Sequence, residues 1–283
     1  MGQVTGISWT GLTYNPWVGC EMVSAGCALC YMFRDMRRFG HDPTVVRRTS
    51  NATFFAPLKW QKQIEAGKRT GADRLVFTCS WSDFFIEEAD AWRPDAWGVV
   101  HRTPDLIYQI LTKRPERIPD HLPPFWNEIR DRVWLMVTAE NQKCADERIP
   151  CLLGVTPRPA VFGVSYEPAL QGVRFPMLDE VDWLICGGES AVPRSGARIF
   201  DLEWARWAQG QCKRAGTAFW MKQVGSNAVE FTGESITHRF NTRHPHGADP
   251  AEWPTDLRVQ EFPPAFHNAP AAKEEADPCV LSL

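Results

Sequence analysis

Three cysteines near the amino terminus have the residue type and spacing of a metal-binding loop. Cys20, Cys27 and Cys30 form a C-x6-C-x2-C pattern within Gly19–Tyr31. Thiolates bind soft metals, and a close C-x2-C pair in a loop lets several sulfurs converge on one centre. Three thiolates on a [4Fe-4S] cluster leave one iron without a protein ligand, and that open iron is free to bind a reactive guest. The pattern therefore predicts a cluster-binding loop.

Zinc is the alternative metal for the same thiols. His41 lies eleven residues after Cys30 and could complete a tetrahedral Cys3His site. Such a site would be structural and closed, and the protein would then be a non-catalytic module that binds nucleic acid or another protein. In a third interpretation, the cysteines bind no metal and only pack. The spacing alone leaves these interpretations open.

Composition restricts the class of protein. The chain has 283 residues, 44% hydrophobic and 23% charged, which is the range of ordinary globular proteins. Its net charge of −3 argues against a general nucleic-acid coat but not against a local basic groove. No apolar run approaches the roughly 18 residues of a membrane span, and no secretory signal is visible, so we expect a cytoplasmic protein. Disulfides are rare in that compartment, so its clustered cysteines indicate metal or redox chemistry.

The rest of the chain alternates short apolar runs with helix-like stretches, which predicts a parallel sheet with right-handed crossovers. The predicted strands are Leu75–Cys79, Leu106–Leu111, Val133–Val137, Ala160–Val164, Val181–Cys186 and Ala218–Met221. The predicted helices are Pro94–His101, Pro124–Ile129, Ala145–Leu153 and Leu202–Ala215. We expect one domain over residues 1–264, a parallel (β/α) partial TIM-type barrel of six or seven strands with an N-terminal cluster-binding loop. Its C-terminal part is irregular, and residues 265–283 are a flexible tail.

Polar or charged residues follow nearly every apolar run at its carboxyl end. In a (β/α) barrel these ends open on one face, where such folds place their active sites. Buried strands must end in polar residues in any case, but six such ends favour a shared site. The candidates for catalytic contacts are Lys113, Glu140, Glu167 and Lys222.

Two groups of basic residues are candidates for binding anions. Lys113, Arg114 and Arg117 form a compact group at a strand end, which could hold a carboxylate or phosphate or could be a solvated charge run. A second group flanks the cysteine segment, where arginines could hold phosphates and aromatic rings could stack on bases. Its members are Arg34, Arg37, Arg38, Arg47 and Arg48, interleaved with Phe33, Phe39, Phe54 and Phe55.

Several stretches, in order from about Ile7 to Pro264, resemble a phage-associated family of unknown function from bacteria and bacteriophages. Around the cysteines they are Ser8-Trp9-Thr10, Tyr14-Asn15-Pro16, Gly19-Cys20 and Cys27-Ala28-Leu29-Cys30-Tyr31. Further along they are Ser80–Phe85, Gln109–Arg117, Gly187–Ser190, Phe219–Gln223 and Glu252–Val259. That family is more distantly similar to radical S-adenosylmethionine enzymes, including the spore photoproduct lyases of DNA repair.

The resemblance implies a function as well as a fold. It implies a partial barrel in which a [4Fe-4S] cluster and S-adenosyl-L-methionine generate a radical that abstracts hydrogen from a substrate, with nucleic acid or a modified base as the first expectation. It also implies an electron donor such as flavodoxin or ferredoxin, and no membrane partner. The first gap, C-x6-C, is longer than the usual C-x3-C of the radical enzymes.

One motif invites comparison with the cofactor-binding element of the radical enzymes. Gly187-Gly188-Glu189 resembles the Gly-Gly-Glu segment that meets the amino group of the cofactor, although it follows a late strand here. Asp83, on the first strand after the cluster loop, is the alternative for the same role, and Gly187-Gly188 is also consistent with a tight turn. The predicted cofactor-binding residues are Asp83, Lys113, Arg114, Gly187, Gly188, Glu189 and Ser190.

Overall fold

A seven-stranded parallel sheet, curled into a half-barrel and flanked by helices, forms the centre of the protein in a computed structural model that describes residues 5–191 and 196–267. The strand order is β1-β4-β5-β6-β7-β8-β10, so neighbouring strands follow one another along the chain. The strands are β1 (Leu12–Tyr14), β4 (Leu75–Thr78), β5 (Ile107–Thr112), β6 (Val133–Thr138), β7 (Val161–Tyr166), β8 (Trp183–Gly187) and β10 (Ala218–Gln223). The predicted parallel α/β sheet is confirmed.

Helices flank the sheet, most of them on its convex face and the last one against its concave face. They are α1 (Tyr31–Arg38), α2 (Asn51–Phe54), α3 (Ala56–Glu65), α4 (Arg93–His101), α5 (Trp126–Ile129), α6 (Gln142–Leu153), α7 (Leu202–Ala215) and α8 (Pro264–His267). The ends of α7 are set by local chemistry: the side chain of Asp201 accepts a hydrogen bond from Glu203 N, and Gly216 closes the helix in the left-handed conformation. This is the helix that the sequence predicts with the same bounds.

Two smaller sheets accompany the half-barrel. One pairs β2 (Trp17–Val18) with β3 (Arg47–Arg48), and the other contains β9 (Phe200–Asp201), β11 (Ala228–Thr232) and β12 (Ser235–Arg239). The antiparallel pair β11–β12 lies in a part of the chain that we expected to have no regular repeat. No helix in residues 5–191 and 196–267 is long and apolar enough to cross a membrane.

Two hydrophobic clusters lie on opposite faces of the sheet. The larger is packed between strands and helices. The smaller fills the concave face at its amino-terminal end, and we call it the floor. Its buried members are Trp9, Leu75, Phe77, Ile107, Trp134, Met136, Val161, Trp183, Ile185 and Trp220. Because side chains alternate along a strand, the floor residues share their face with the residues at the carboxyl ends of the same strands.

The segment after β12 closes one side of the half-barrel. Met221 N donates to Val259 O over 2.8 Å and Glu261 N donates to Phe219 O over 3.0 Å, so this segment pairs with the edge strand β10. The ring of Phe262 then lies 4.6 Å from that of Trp220 against the floor. Residues 265–267 of the predicted tail form part of α8, and the remainder, 268–283, lies outside the described residues.

Candidate functional site

The segment from residue 20 to residue 30, which we call the cysteine loop, carries all three candidate ligands. Cys20 follows β2 and is held by a hydrogen bond from its backbone N to Pro43 O. Cys27 ends a short 3-10 helix, Ala25–Cys27, and Cys30 is the residue that precedes α1. The cysteine loop therefore follows the first two strands directly and leads into α1.

Glu140 attaches the cysteine loop to the carboxyl end of β6. Its buried carboxylate accepts a hydrogen bond from the Ser24 hydroxyl and a second, at 3.3 Å, from Gly26 N. Its other oxygen lies 2.9 Å from Nη1 of Arg148 on α6. A side chain at position 26 would collide with this carboxylate, because a Cβ atom there would lie 2.8 Å from Oε1. Residue 26 must therefore be glycine for the loop to approach so closely.

Charge keeps Glu140 ionised despite its burial. Burial acts to raise the pKa of the carboxyl, but the positive charges of Lys113 and Arg148 and the Ser24 hydrogen bond more than offset it, so the pKa lies below its ordinary value. A carboxylate therefore occupies this position at neutral pH.

Glu189 attaches the cysteine loop a second time, through Arg198. The guanidinium of Arg198 binds both carboxylate oxygens of Glu189, which is buried past the end of β8. Nη1 of the same arginine donates to Ala25 O over 2.8 Å. Glu189 is thus a positioning residue for the loop rather than a free carboxylate at the mouth of the half-barrel.

The three thiols share one neighbourhood. Cys27 interacts electrostatically with both Cys20 and Cys30. Burial raises the pKa of Cys20 to about 12, the nearby Asp83 carboxylate adds to the effect, and Arg114 opposes it. Burial also raises the pKa of Cys30. Without a metal charge the Cys20 and Cys30 thiols are protonated at neutral pH, and a bound metal would reverse this because it deprotonates its thiol ligands.

The candidate donor set matches a soft-metal site, iron–sulfur or zinc, in residue type. It consists of three thiols on one anchored loop, and His41 is exposed just after the C-terminal end of α1. As the side chains stand in the described part of the chain, no group of three or more His, Cys, Asp or Glu residues is placed to hold a metal ion. The three cysteines lie near one another, but they do not form a complete coordination sphere.

Asp83 and Arg114 lie beside Cys20. One oxygen of Asp83 accepts from Thr112 Oγ1 and the other from Lys113 N, over 2.7 and 2.8 Å. Nη1 of Arg114 lies 3.3 Å from Asp83, and Nη2 lies 3.5 Å from Glu21 O in the cysteine loop. Both oxygens of Asp83 are thus engaged within the protein, and they position the residues that follow β5.

The ammonium group of Lys113 has no ion-pair partner among the described residues. Its side chain is half-buried at the end of β5, and in the part of the chain that the structure describes its ammonium makes no hydrogen bond or ion pair. It acts electrostatically on Glu140 and on Cys30, which places it between β6 and the cysteine loop. An anionic group of a ligand would find its counter-charge here.

Glu167 and Lys222 pair across the mouth. Nζ of Lys222 lies 3.0 Å from Glu167 Oε1 without the alignment of a hydrogen bond, and Ser165 Oγ donates to the other oxygen over 3.3 Å. Tyr31, the first residue of α1, is within electrostatic range of both Glu167 and Cys30, and its hydroxyl donates to Ser80 O. The pair therefore faces the end of the cysteine loop.

The two glycines at the end of β8, Gly187 and Gly188, allow close packing. A Cβ atom on Gly187 would lie 2.6 Å from Glu167 Oε1, and one on Gly188 would lie 2.4 Å from Val224 O. Both backbone groups of Gly188 bond to Gln223. Ser190 is half-buried and lies next to residues outside the description. These contacts are what a tight turn against β10 requires.

The phenylalanines near the cysteine loop differ in how far they are buried. Phe33 and Phe54 are buried in the hydrophobic clusters, and Arg48 lies over the Phe54 ring at 3.9 Å. Phe39 is 64% exposed. Two of the four phenylalanines with which we predicted base stacking therefore serve the core and cannot stack on bases.

Sequence reasoning missed Ser24, Arg148 and Arg198. No spacing rule connects Arg198 to Ala25, which lies 173 positions away. The pairing of Glu140 with Arg148 had a weak signal, because Glu140 lies just before α6 and Arg148 lies in its second turn, shortly after a predicted strand.

Comparison with known proteins gives a family and no function. A family model described as "Protein of unknown function (DUF5131)" matches residues 4–254. No curated protein and no solved structure matches the chain. The cysteine loop, the half-barrel and the paired mouth residues all lie within the matched range.

Proposed function

The chain belongs to the DUF5131 family, whose function is unknown, and from its site we propose that it is an iron–sulfur enzyme that uses S-adenosylmethionine to generate a radical. The supporting observation is the place of the cysteine loop. It follows the first strand of a sequentially ordered parallel half-barrel and is tied by Glu140 and Arg198 to the carboxyl ends of the strands. Parallel barrels place their active sites at those ends.

The cysteines would hold the cluster, and the anchors would hold the cysteines. Cys20, Cys27 and Cys30 supply three thiolate ligands, and one iron stays open. When bound, such a cluster supplies one electron that cleaves S-adenosylmethionine to methionine and a radical able to abstract hydrogen. The residues of the chain would position the loop and bind charged groups of the ligands. A TIM-type relationship of the half-barrel is part of this proposal.

The charged residues of the mouth have separate roles in this proposal. Lys113, which makes no direct hydrogen bond or ion pair within residues 5–191 and 196–267, binds a carboxylate or phosphate of cofactor or substrate. Glu167 and Lys222 bind polar groups and can donate or accept a proton at their paired atoms. The substrate remains a prediction from the resemblance, with nucleic acid or a modified base as its first expectation.

Metal and sulfide analysis tests the proposal most directly. Protein isolated without oxygen and reconstituted with iron and sulfide should be brown and contain about four iron and four sulfide per chain. With dithionite and S-adenosylmethionine it should release 5′-deoxyadenosine, and Cys20→Ala should abolish both the colour and the product.

Cys151→Ala is the matched control, because Cys151 is also a partly exposed free cysteine but lies on α6, outside the cysteine loop. It should keep full iron content and activity. A colourless protein with one zinc per chain would instead support the structural Cys3His site. Iron without 5′-deoxyadenosine would refute the radical reaction.

A further inference from the structure

Three neighbouring strands of the half-barrel end in a buried threonine. Thr78, Thr112 and Thr138 are the last residues of β4, β5 and β6, and each is 1% exposed. A buried hydroxyl without a hydrogen bond is costly, and valine has the same branched shape without the hydroxyl. The partners of the three hydroxyls therefore show which of them the fold itself uses.

Two of the hydroxyls are bonded within the protein, on the helix-covered face of the sheet. Thr78 Oγ1 donates to Val76 O over 3.3 Å, and Thr112 Oγ1 donates to Asp83 Oδ1 over 2.7 Å. Val76 and Ile110, two residues before these threonines, lie in the larger hydrophobic cluster. Because side chains alternate along a strand, both threonines face that cluster.

Thr138 faces the concave side of the sheet, and its hydroxyl has no partner. Trp134 and Met136 on the same strand lie in the floor, so Thr138 continues the concave face above them. Among residues 5–191 and 196–267, Thr138 Oγ1 makes no hydrogen bond. Two residues later, Glu140 anchors the cysteine loop. The unpaired hydroxyl therefore lies between the floor and the mouth.

A second unpaired acceptor lies beside Thr138, at the end of β7. Thr138 is the register partner of Ser165, whose hydroxyl donates to Glu167 Oε2 over 3.3 Å. The other oxygen of Glu167, Oε1, lies 3.0 Å from Nζ of Lys222 but is buried without a hydrogen bond in the same part of the chain. Two buried oxygens on neighbouring strands therefore lack a hydrogen-bond donor, which a bound ligand can supply.

Partly exposed lysines flank these two oxygens, Lys113 after β5 and Lys222 on β10. Neighbouring strands lie about 4.8 Å apart, so Lys113 is about one strand spacing from Thr138 and two from Glu167. The positive charges of both lysines disfavour a cationic donor, so a neutral hydroxyl is the donor that fits. A lysine binds phosphate as a point charge, whereas the planar fork of an arginine is better matched to a carboxylate.

We infer that Thr138 and Glu167 bind hydroxyl groups of a small organic phosphate whose phosphate group lies against Lys113. Free sugar phosphates and nucleoside monophosphates share this chemistry. The inference rests on the proposed function only in placing a ligand in the mouth, and it requires neither a cluster nor an electron.

Calorimetric titration of the full chain with ribose 5-phosphate tests the inference, with propyl phosphate as the probe that lacks hydroxyl groups. Thr138→Val should weaken ribose 5-phosphate binding by about fivefold, as expected for one lost hydrogen bond, and leave propyl phosphate binding unchanged. Lys113→Met should weaken the binding of both by about tenfold. AMP separates the two sources: tighter binding than ribose 5-phosphate assigns the site to a nucleotide, and weaker binding assigns it to a free sugar phosphate.

Thr112→Val is the matched control for stability, because Thr112 is equally buried at the end of the neighbouring strand but is bonded to Asp83. It should lower the melting temperature by about 5 °C, whereas Thr138→Val should melt at or above the wild-type temperature. An equal fall in Thr138→Val would show that its hydroxyl serves the fold and would overturn the inference. Unchanged affinity of Thr138→Val for ribose 5-phosphate, or a wild type that binds neither ribose 5-phosphate nor AMP, would also overturn it. Failure of the proposed function is separate, because it shows as absent iron and absent 5′-deoxyadenosine, which these titrations do not involve.

Discussion

The floor and the mouth of the half-barrel are built from the same strands and have opposite character. Along β8, Trp183 lies fully buried in the floor, and Glu189 binds Arg198 just past the strand end. Along β10, Trp220 packs in the floor and Lys222 pairs with Glu167 in the mouth. Within the length of one strand, the concave face changes from dry aromatic packing to charged pairs.

The floor and the mouth also differ in the kind of contact that joins distant parts of the chain. The floor joins residues through ring contacts, such as the 5.5 Å between Trp134 and Trp183. The mouth joins the cysteine loop to segments more than a hundred residues away through Glu140 and Arg198. We expect the floor to supply stability without chemistry, and the mouth to supply chemistry with little stability except where a buried charge is involved.

The largest effect on folding should come from the floor. Trp183→Ala should lower the free energy of unfolding by about 3–5 kcal/mol, because it removes a fully buried ring and leaves a cavity. It also removes the 2.8 Å hydrogen bond from Trp183 Nε1 to Glu261 O. Guanidinium unfolding followed by circular dichroism measures the change.

Two variants keep this prediction testable. Trp183→Phe keeps most of the packing and should fold even where the alanine variant does not. Trp207→Ala, on the exposed side of α7, should change stability by less than about 1 kcal/mol. Equal losses of unfolding free energy in Trp183→Ala and Trp207→Ala would show that the floor is not the source of stability.

A smaller loss of stability is expected when Glu140 is replaced, together with a local change in the cysteine loop. Glu140→Ala leaves the largely buried Arg148 without its partner and should cost about 3 kcal/mol, the lower end of the range for a broken buried pair. Ser24 and Gly26 also lose their acceptor, so hydrogen exchange at the amides of residues 24–27 should accelerate. Mass-spectrometric exchange measures this locally.

Glu203→Ala is the control, because Glu203 pairs with Arg206 on the exposed side of α7. It should cost less than about 1 kcal/mol and leave exchange at residues 24–27 unchanged. If the Glu140 variant is destabilised but the loop amides exchange at the wild-type rate, Glu140 supports only the core and does not anchor the loop.

Much of the sheet could be predicted because its strands are buried on both faces and read as continuous apolar runs. The predicted Leu75–Cys79 and Val133–Val137 differ from β4 and β6 by one residue at the end. β1 was not predicted, because its three residues, Leu12–Tyr14, are too few to show a hydrophobic pattern. The β11–β12 hairpin had a local signal in the turn at Gly233, but its strands are mostly exposed and lack a clear apolar run.

The site was predictable only in part, because sequence identifies residue types but not their partners. The strand-end positions of Lys113, Glu140, Glu167 and Lys222 followed from the alternation of strands and helices. That Glu189 is held by Arg198 and Asp83 by Thr112 depends on tertiary contacts that no spacing encodes. Likewise, an aromatic residue beside arginines looks the same in sequence whether it is exposed, as Phe39, or buried, as Phe54.

The smallest effect on stability, with a clear effect on activity, should be found at Lys222. The Lys222 side chain is 25% exposed, but Glu167 Oε1 is buried, so breaking the pair should cost about 1–2 kcal/mol, less than at the fully buried Glu140. Lys222→Met retains the apolar stem of the side chain and should unfold within that margin of the wild type. The rate of dithionite-driven 5′-deoxyadenosine formation should fall by about tenfold or more, because the proposed mechanism uses this charged group to bind the ligands.

Lys213→Met, on the exposed end of α7, should change neither quantity. A loss of several kcal/mol in the Lys222 variant with full activity would make the Glu167–Lys222 pair a structural element and would extend the stabilising role of the floor into the mouth. A loss of activity that Lys222→Arg restores would instead show that positive charge is required there. Activity and stability would then be assigned to opposite ends of the same strand, since Trp220 lies two residues before Lys222 on β10.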